Sequence, residues 1–243
     1  MDKNPAKEVI IVALDFSDLK QVEKLVKDLS PYVNCFKIGL QLIMAVGAQS
    51  AINFIHNLGG KVFLDGKFND IPNTVGAASG VVSALGVSMF NVHASSGIAA
   101  MTAAAKNKGN SMVLAVTVLT SLEENDAQLI FGAPSKSKVI QFAKDALISG
   151  MDGIICSPQE LKIIREKEEF ANLKTVVPGI RPQWASNQDQ NRIMTPYDAI
   201  LAGADYLVIG RPITNPTGEI NDSVNAVELI SLQIRDALER RTK

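Results

Sequence analysis

The charged residues best spaced for chemistry stand in one short segment, Asp65-Gly66-Lys67-Phe68-Asn69-Asp70. It follows an apolar run over residues 61–64 that is typical of a buried strand. Residues two apart in a strand share a face, so we expect Asp65 and Lys67 to point into the same space, with Asp70 within reach if the chain turns. The free-energy cost of removing such charges from water near a core is generally larger than the gain from pairing them. The segment therefore predicts a site that uses charge.

Other polar residues also stand where predicted strands end. They are Asp15, Lys37, Asn91, His93, Thr117, Thr120, Gly179, Arg181, Gly210 and Arg211. A single charged residue at a strand end is usually a solvated loop residue. Alternating aspartates and lysines on three successive strands would be a poor way to build stability. We therefore expect these side chains to converge on one mouth if the strands close into a barrel.

The last two predicted strands lead into segments with the residues that a phosphate group needs. These segments are Val177-Pro178-Gly179-Ile180-Arg181-Pro182 and Tyr206-Leu207-Val208-Ile209-Gly210-Arg211-Pro212-Ile213-Thr214. Glycine lets the backbone approach a ligand closely, and arginine offers a bidentate donor. A lone Gly-Arg pair more often marks a surface arginine. Two such segments after the seventh and eighth strands predict a phosphate site.

Short strand-like runs recur along the chain and would position these residues. They cover residues 9–14, 35–38, 61–64, 89–92, 112–116, 153–156, 175–177 and 206–209. Helical periodicity falls between them, as over residues 19–29, 139–148, 161–164 and 224–238. Eight such units predict an α/β fold, a single-domain (β/α)8 TIM barrel. The alternative is a doubly wound open sheet, but no Gly-x-Gly-x-x-Gly follows the first strand.

Two predicted connections are long, residues 120–137 after the fifth strand and residues 179–196 after the seventh. Long polar loops in a compact domain are usually functional lids or disordered connectors. Loops that follow barrel strands form the active-site face. We therefore expect both loops to lie over the site.

Length and composition limit the classes of function. The chain has 243 residues, 47% of them hydrophobic, which one domain over residues 1–243 accounts for. Its net charge of -1 does not indicate a nucleic acid or anionic lipid partner. No apolar run approaches the roughly 18 residues that a membrane-spanning helix needs. Cys35 and Cys156 fall in apolar runs typical of buried free thiols, so we expect a cytoplasmic protein.

No metal site is predicted. His56 lies in a helical segment and is interpreted as structural, whereas His93 follows a strand and could line the site. Neither histidine has an obvious partner set of histidine, cysteine and carboxylate at metal-ligand spacing.

Together the motifs resemble the orotidine 5'-phosphate decarboxylase family. The matching segments are Asp65-x-Lys67-x-x-Asp70-Ile71-Pro72-Asn73-Thr74, Asn91-Val92-His93-Ala94, Val116-Thr117-Val118-Leu119-Thr120-Ser121, and residues 178–182 and 208–214. They span essentially the whole chain in the family's order. Two positions depart from the usual pattern, with Gly66 in place of leucine and Asn69 in place of histidine. Neither is a charged member of the motif, and glycine is expected to loosen the strand locally.

The resemblance implies conversion of orotidine 5'-monophosphate (OMP) to uridine 5'-monophosphate (UMP) and carbon dioxide in pyrimidine biosynthesis, without a cofactor or metal. It also implies a set of catalytic residues, Lys67, Asp65, Asp70 and Lys37. Lys67 would protonate the C6 carbanion, and Asp65 would lie near the departing carboxylate. Lys37 would complete the alternating charge array. Asp70 would come from the partner subunit, so the resemblance implies a homodimer that shares the region of Asp70 and Thr74 across its interface.

The same resemblance implies a set of substrate-binding residues: Asp15, Lys37, Asp65, Ile71, Pro72, Asn73, Thr74, Thr120, Ser121, Arg181, Gln190, Gly210 and Arg211. Asp15 and Lys37 would hold the ribose hydroxyls. Thr120, with Ser121, would bind near the pyrimidine. Gln190 would bridge base and phosphate from the second long loop, and the remaining arginines and Gly210 would take the phosphate.

Two other functions stay open from the sequence. Related barrels that act on sugar phosphates, such as keto-gulonate phosphate decarboxylase and hexulose phosphate synthase, share Asp-x-Lys-x-x-Asp but need magnesium. Lys37 and the continuation Asp70-Ile71-Pro72-Asn73-Thr74 favour the nucleotide enzyme over them. A phosphate-binding barrel without catalysis is the other alternative, and it would have no need to keep Lys67 between two carboxylates.

Overall fold

A closed barrel of parallel strands forms the centre of the molecule. The computed structural model describes residues 5–185, 193–217 and 220–241. Within them, eight strands pair in sequence order, and β8 closes the barrel on β1. The strands are β1 Ile10–Ala13, β2 Cys35–Ile38, β3 Lys61–Phe68, β4 Met89–His93, β5 Met112–Val116, β6 Gly153–Ile155, β7 Lys174–Val177 and β8 Tyr206–Ile209. The predicted (β/α)8 TIM barrel is thus confirmed, and the open sheet is excluded.

A short helix precedes β1, and the other helices follow the strands and surround the barrel. They are α1 Ala6–Val9, α2 Leu19–Leu29, α3 Leu40–Val46, α4 Ala48–Asn57, α5 Pro72–Ala84, α6 Ile98–Asn107, α7 Glu124–Phe131, α8 Ser135–Ile148, α9 Leu161–Arg165, α10 Pro196–Leu201, α11 Arg211–Thr214 and α12 Ser223–Arg241. In the described part of the chain, none of these helices has both the length and the apolar character needed to cross a membrane.

The strands are apolar on both faces because each face has its own core. One cluster lies between the strands and the helices. A smaller cluster, made only of strand residues, fills the barrel interior and consists of Ile11, Ala13, Cys35, Phe63, Met89, Leu114, Val176 and Val208. This interior cluster forms an apolar floor beneath the polar residues at the carboxyl ends of the strands. Cys35 belongs to it, and both cysteines are buried free thiols as predicted.

Helices are predicted correctly where the sequence contains both a capping residue and an apolar stripe. The helix predicted over residues 19–29 is confirmed as α2, whose buried face includes Val22 and Leu29. Asp18 caps it by accepting a hydrogen bond from the backbone N–H of Lys20. Thr195 caps α10 in the same way, through the N–H of Asp198. These caps satisfy backbone donors that have no partner inside the helix.

The prediction of a long polar loop over residues 120–137 is wrong. The segment contains α7, and α8 begins within it at Ser135. Gly132, with φ of 68°, ends α7 in the left-handed conformation that glycine adopts without strain. The Glu124 side chain then accepts hydrogen bonds from the backbone and hydroxyl of Ser135, joining the two helix starts. This tertiary contact, rather than a strong apolar stripe, holds α7 in place.

The third strand is longer than predicted and is not regular. Residues 61–64 were expected to form it, but β3 continues to Phe68. Leu64 pairs with Phe90 and Phe68 pairs with Val92, so residues 65–67 stand opposite Asn91 alone. The ladder is therefore interrupted at the segment that carries Asp65 and Lys67. Bulges of this kind re-aim side chains next to functional sites.

Candidate active site

Four side chains form a chain of alternating charges above the apolar floor. Lys37 Nζ lies 3.2 Å from Asp15 Oδ1 and 3.1 Å from Asp65 Oδ2. Lys67 Nζ lies 2.7 Å from the other Asp65 oxygen. We call Asp15, Lys37, Asp65 and Lys67 the charge array. Its two middle members, Lys37 and Asp65, are almost completely buried, while the outer two are partly open to the cleft.

The array keeps its inner members charged despite burial. Burial opposes the ammonium form of Lys37, but the carboxylates of Asp65 and Asp15 outweigh it and raise the pKa of this lysine. Burial would likewise raise the pKa of Asp65, yet Lys37, Lys67 and the Asn91 amide outweigh it and lower the pKa to about 2. Opposite charges at this distance favour the ionised form of each partner. The central pair is therefore ionised throughout the neutral range.

The backbone at Lys67 is strained. Among the described residues, Lys67 is the only non-glycine with a positive φ, at 48°. This left-handed conformation is uncommon for a side chain other than glycine, asparagine or aspartate. Strain of this sort persists only where surrounding contacts hold it, and it concentrates at functional sites. Here it lies in the interrupted part of β3 and directs the Lys67 ammonium toward Asp65.

Two cavities meet at the array. The smaller, of about 160 Å³, has largely apolar walls and contains Lys67 together with Val116, Thr120, Ile155 and Cys156. The larger, of about 920 Å³, is polar. Both are lined by Lys37, Asp65, Pro178 and Val208, so the two cavities form one cleft with an apolar end and a polar end.

The polar end brings together the residues that the sequence indicated for a phosphate. Gly179, Arg181, Gly210 and Arg211 all line the larger cavity, as does Asp15. Arg181 is only 6% exposed, and its Nη1 donates to the backbone carbonyl of Ile180 at 2.9 Å. Gly179 has a φ of 79°, a conformation that other residues rarely adopt. Two arginines beside backbone turns provide bidentate donors for an anion.

Asp70 and the residues after it lie outside the array of their own chain. Asp70 is exposed and accepts a hydrogen bond from the backbone N–H of Ile71 at 2.7 Å. In the described residues no ion pair joins it to Lys67. Ile71, Pro72, Asn73 and Thr74 are exposed at the start of α5, and none of them lines either cavity.

Of the residues expected to bind near the pyrimidine, only some line the cleft in the described part of the chain. Thr120 lines the smaller cavity, whereas Ser121 is exposed and lines neither cavity. Gln190 lies outside the described residues. His93, which could line the site by its sequence position, instead faces a separate cavity with Asn69 and Thr117.

Several residues of the site were not in the predicted set. The polar end also contains Gln41, Thr214 and Asn215, and Cys156 lies in the apolar end. Thr214 lies within residues 206–214, the segment predicted to bind a phosphate, so the sequence does indicate its place in the site. Asn91 stands at a predicted strand end, but its contacts with Lys67 and Asp65 depend on the interrupted register of β3.

The described residues offer no cluster of metal ligands. Within residues 5–185, 193–217 and 220–241, no group of three or more histidine, cysteine, aspartate or glutamate side chains is placed to hold a metal ion. The charge array instead alternates acid and base, so each carboxylate already has an ammonium partner.

Comparison with known proteins gives a consistent result. The profile of the Orotidine 5'-phosphate decarboxylase / HUMPS family matches residues 8–221. Orotidine 5'-phosphate decarboxylase of Syntrophomonas wolfei is 42% identical over 236 residues, covering 91% of this chain and 97% of the relative. The Moorella thermoacetica protein of the same name is 43% identical over 242 residues, covering 94% and 93%. The crystal structure of orotidine 5'-phosphate decarboxylase from Lactobacillus acidophilus superposes with a TM-score of 0.79 at 32% identity, covering 93% of this chain and 99% of that one.

Proposed function

This chain belongs to the orotidine 5'-phosphate decarboxylase / HUMPS family, and we propose that it converts OMP to UMP and carbon dioxide in pyrimidine biosynthesis. The observation that carries the proposal is the charge array at the junction of an apolar cavity and a polar cavity lined by two arginines. The nucleotide has matching parts in matching order, namely a flat base, a ribose and a phosphate.

We place the substrate lengthwise in the cleft. The base enters the apolar end beside Thr120, and the ribose hydroxyls lie against Asp15 and Lys37. The phosphate lies at the polar end, where Arg181 and Arg211 line the wall with Gly210. Binding energy from this remote phosphate can position the base without contributing to the chemistry itself. Gln190, from the long loop after β7, is proposed to complete the contacts to base and phosphate.

Lys67 is proposed as the catalytic acid. When carbon dioxide leaves, electron density remains on a ring carbon that has no carbonyl sink. A fixed ammonium aimed at that carbon stabilises the developing negative charge and then donates the proton that forms the new C–H bond. The 2.7 Å contact to Asp65 supports this role, because it holds the ammonium in place before the reaction. Apolar walls strengthen these electrostatic interactions by excluding water.

Asp65 and Lys37 are proposed to preorganise the site rather than to exchange protons. The low pKa of Asp65 keeps a negative charge close to where the substrate carboxylate must lie. Lys37 balances that charge from the other side at 3.1 Å. With its pKa raised, Lys37 remains an ammonium that can also donate to a ribose hydroxyl.

We further propose a homodimer in which Asp70 enters the partner's site. Asp70 and Thr74 are exposed and lie outside the cavities of their own chain, and the exposed side chain of Ile71 between them supports an intersubunit contact. Asp70 from a second copy would give Lys67 a second carboxylate. We also propose that the substrate is a nucleotide, that the chain acts as a single domain, and that it works in the cytoplasm.

The alternative is a related barrel that acts on a sugar phosphate and needs magnesium, and a chelator distinguishes the two functions. We expect the purified protein to consume OMP at the same rate with and without EDTA. The loss of OMP is measured by ultraviolet absorbance. Ketogulonate phosphate and hexulose phosphate serve as control substrates and should not react. Loss of OMP turnover in EDTA, or turnover of a sugar phosphate alone, would contradict the proposed function.

A further inference from the structure

We propose that Asn91 is a positioning residue, whose single amide fixes both the backbone of Lys67 and the carboxylate of Asp65. Asn91 lies in β4, is fully buried, and stands alone opposite the three β3 residues that interrupt the ladder. It lines neither cavity of the cleft, so it acts through its neighbours. The inference rests on the proposed function, because its effect is read in turnover.

The oxygen end of the amide supports the strained backbone. The backbone N–H of Lys67 donates to Asn91 Oδ1 at 2.7 Å. Because β3 is irregular at this point, the acceptor of this N–H is a side chain rather than a carbonyl of the ladder. A buried donor without a partner would destabilise this backbone conformation. Asn91 therefore stabilises the left-handed conformation that directs the Lys67 ammonium.

The nitrogen end of the amide fixes the carboxylate. Asn91 Nδ2 donates to Asp65 Oδ1 at 2.7 Å, and the same oxygen accepts from Lys67 Nζ at 2.7 Å. The other oxygen faces Lys37 Nζ at 3.1 Å. Three donors thus set the plane of the Asp65 carboxylate. Without the amide, the carboxylate could rotate and carry the Lys67 ammonium with it.

Only a side chain with both a donor and an acceptor at this length can make both contacts. Leucine has nearly the same size as asparagine and makes neither contact. Aspartate keeps the acceptor for the Lys67 N–H but loses the donor to Asp65. It also places a second carboxylate at hydrogen-bond distance from the first, and two such groups share a proton when the pH is low enough.

The first test separates turnover from binding. Asn91→Leu is expected to lower kcat by about 100-fold, because a small misplacement of a catalytic group costs that much. KM and the dissociation constant of UMP should stay within about threefold, since contacts along the cleft are retained. Ser111→Ala is the control, because it removes a buried hydrogen bond to Val87 at the opposite end of the barrel. It should lower the unfolding temperature and leave kcat unchanged.

The second test is a pH rescue that loss of packing alone would not produce. In Asn91→Asp, the ratio of kcat to that of the unmodified protein should rise at least tenfold between pH 8 and pH 5. As the introduced carboxyl gains a proton, it again donates to Asp65. The titratable groups around it are Asp65, Lys67, Lys37 and His93. All four are present in both proteins, so a ratio that changes with pH reports the introduced carboxyl and the proton that it shares with Asp65.

The outcomes are distinct. A folded Asn91→Leu protein with unchanged kcat would overturn the role of Asn91, and so would a ratio for Asn91→Asp that does not change with pH. Absence of OMP turnover in the unmodified protein would instead contradict the proposed function itself. If Asn91→Leu does not fold, Asn91→Asp decides alone, because it keeps the hydrogen bond to the Lys67 backbone.

Discussion

At the scale of single residues, Asp65 is the charge that holds two lysines together. Its side chain is 11% exposed and contacts both ammonium groups. Its pKa is lowered from 3.8 to about 2, so its ionised form is more stable in the folded protein than in the unfolded chain. The corresponding stabilisation is fully present above the unfolded pKa near 4 and is lost as the pH falls through 2. It amounts to about 2 kcal/mol.

This linkage predicts how Asp65→Asn compares with the unmodified protein across pH. The difference in their free energies of unfolding should be constant from pH 8 to pH 5. It should shrink by about 1 kcal/mol at pH 3, because Asp65 is then protonated in the unfolded chain of the unmodified protein. Urea unfolding of both proteins at pH 7, 5 and 3 measures it. A difference that stays constant down to pH 3 would mean that Asp65 is not held ionised by its neighbours.

The left-handed backbone at Lys67 gives a second prediction at the same scale. Alanine at a φ of 48° is strained and glycine is not, so Lys67→Gly should be more stable than Lys67→Ala by about 1 kcal/mol. Both variants lack the ammonium, so their difference isolates the backbone. Lys61 offers the matched control, because it is exposed in the same strand and has no positive φ. There the glycine variant should be the less stable one.

Urea unfolding of the four variants decides the matter. If glycine is the less stable replacement at both positions, the backbone of Lys67 is not strained.

At the scale of elements, the sequence predicts the strands better than it predicts their register. Most of each strand is an apolar run. Strands β2, β5 and β8 begin and end at the predicted residues, because polar or turn-forming residues stand directly on both sides of the apolar run. The interruption of β3 could not be predicted. It depends on pairing with β4, which is a contact between residues more than 20 positions apart.

The same limit explains the missed site residue and the missed helix. Asn91 reads as a polar residue in an apolar strand until the interruption opposite it is known. Helix α7 has one buried side chain, Ala127, so its periodicity is too weak to distinguish from a loop. Its position depends instead on the contact between Glu124 and Ser135, which the sequence does not show. The charged residues of the array were predicted because their types alone are costly near a core.

The base of the barrel, opposite the cleft, contains a cluster that stabilises the fold. Arg165, at the end of α9, donates to the carbonyls of Leu173 and Gly203 at 3.1 and 2.9 Å. It also lies 2.5 Å from Asp205, which accepts from the backbone N–H of Thr175. One guanidinium thus joins a helix to β7 and to the turn before β8.

We therefore expect Arg165→Met to lower the free energy of unfolding by about 3 kcal/mol, because the partly buried Asp205 loses its guanidinium partner and keeps only the more exposed Lys174 as a cationic partner. Turnover should not change, since the cleft lies at the other end of the strands. The double variant with Asp205→Asn should recover part of the loss. Denaturant unfolding and a kcat measurement below the unfolding temperature test both statements. A large loss of kcat in the folded variant would show that the base and the mouth are coupled.

At the scale of the whole molecule, the proposed homodimer would build each site from two chains. If Asp70 acts in the partner's site, Lys67→Ala and Asp70→Asn inactivate different halves of the same site. Mixed dimers then contain one site with both groups intact and one with neither. Random mixing of the two variants should restore about a quarter of the unmodified activity.

The complementation assay uses two proteins that are each inactive, mixed after brief dissociation and reassociation. Each variant carried alone through the same treatment is the control. Activity that appears only in the mixture supports a shared site. A mixture as inactive as its components, although mixed dimers have formed, would place Asp70 outside the partner's site.

The most direct test is turnover by Lys67→Ala, with binding measured on the same sample. We propose that this one ammonium, held by Asp65, carries the chemistry while the rest of the cleft binds the nucleotide. We predict that kcat for OMP falls by at least about 10⁴-fold, since both charge stabilisation and proton donation are lost. The dissociation constant of UMP should stay measurable and within about tenfold of the unmodified protein. Near-normal turnover by the folded variant would contradict the claim.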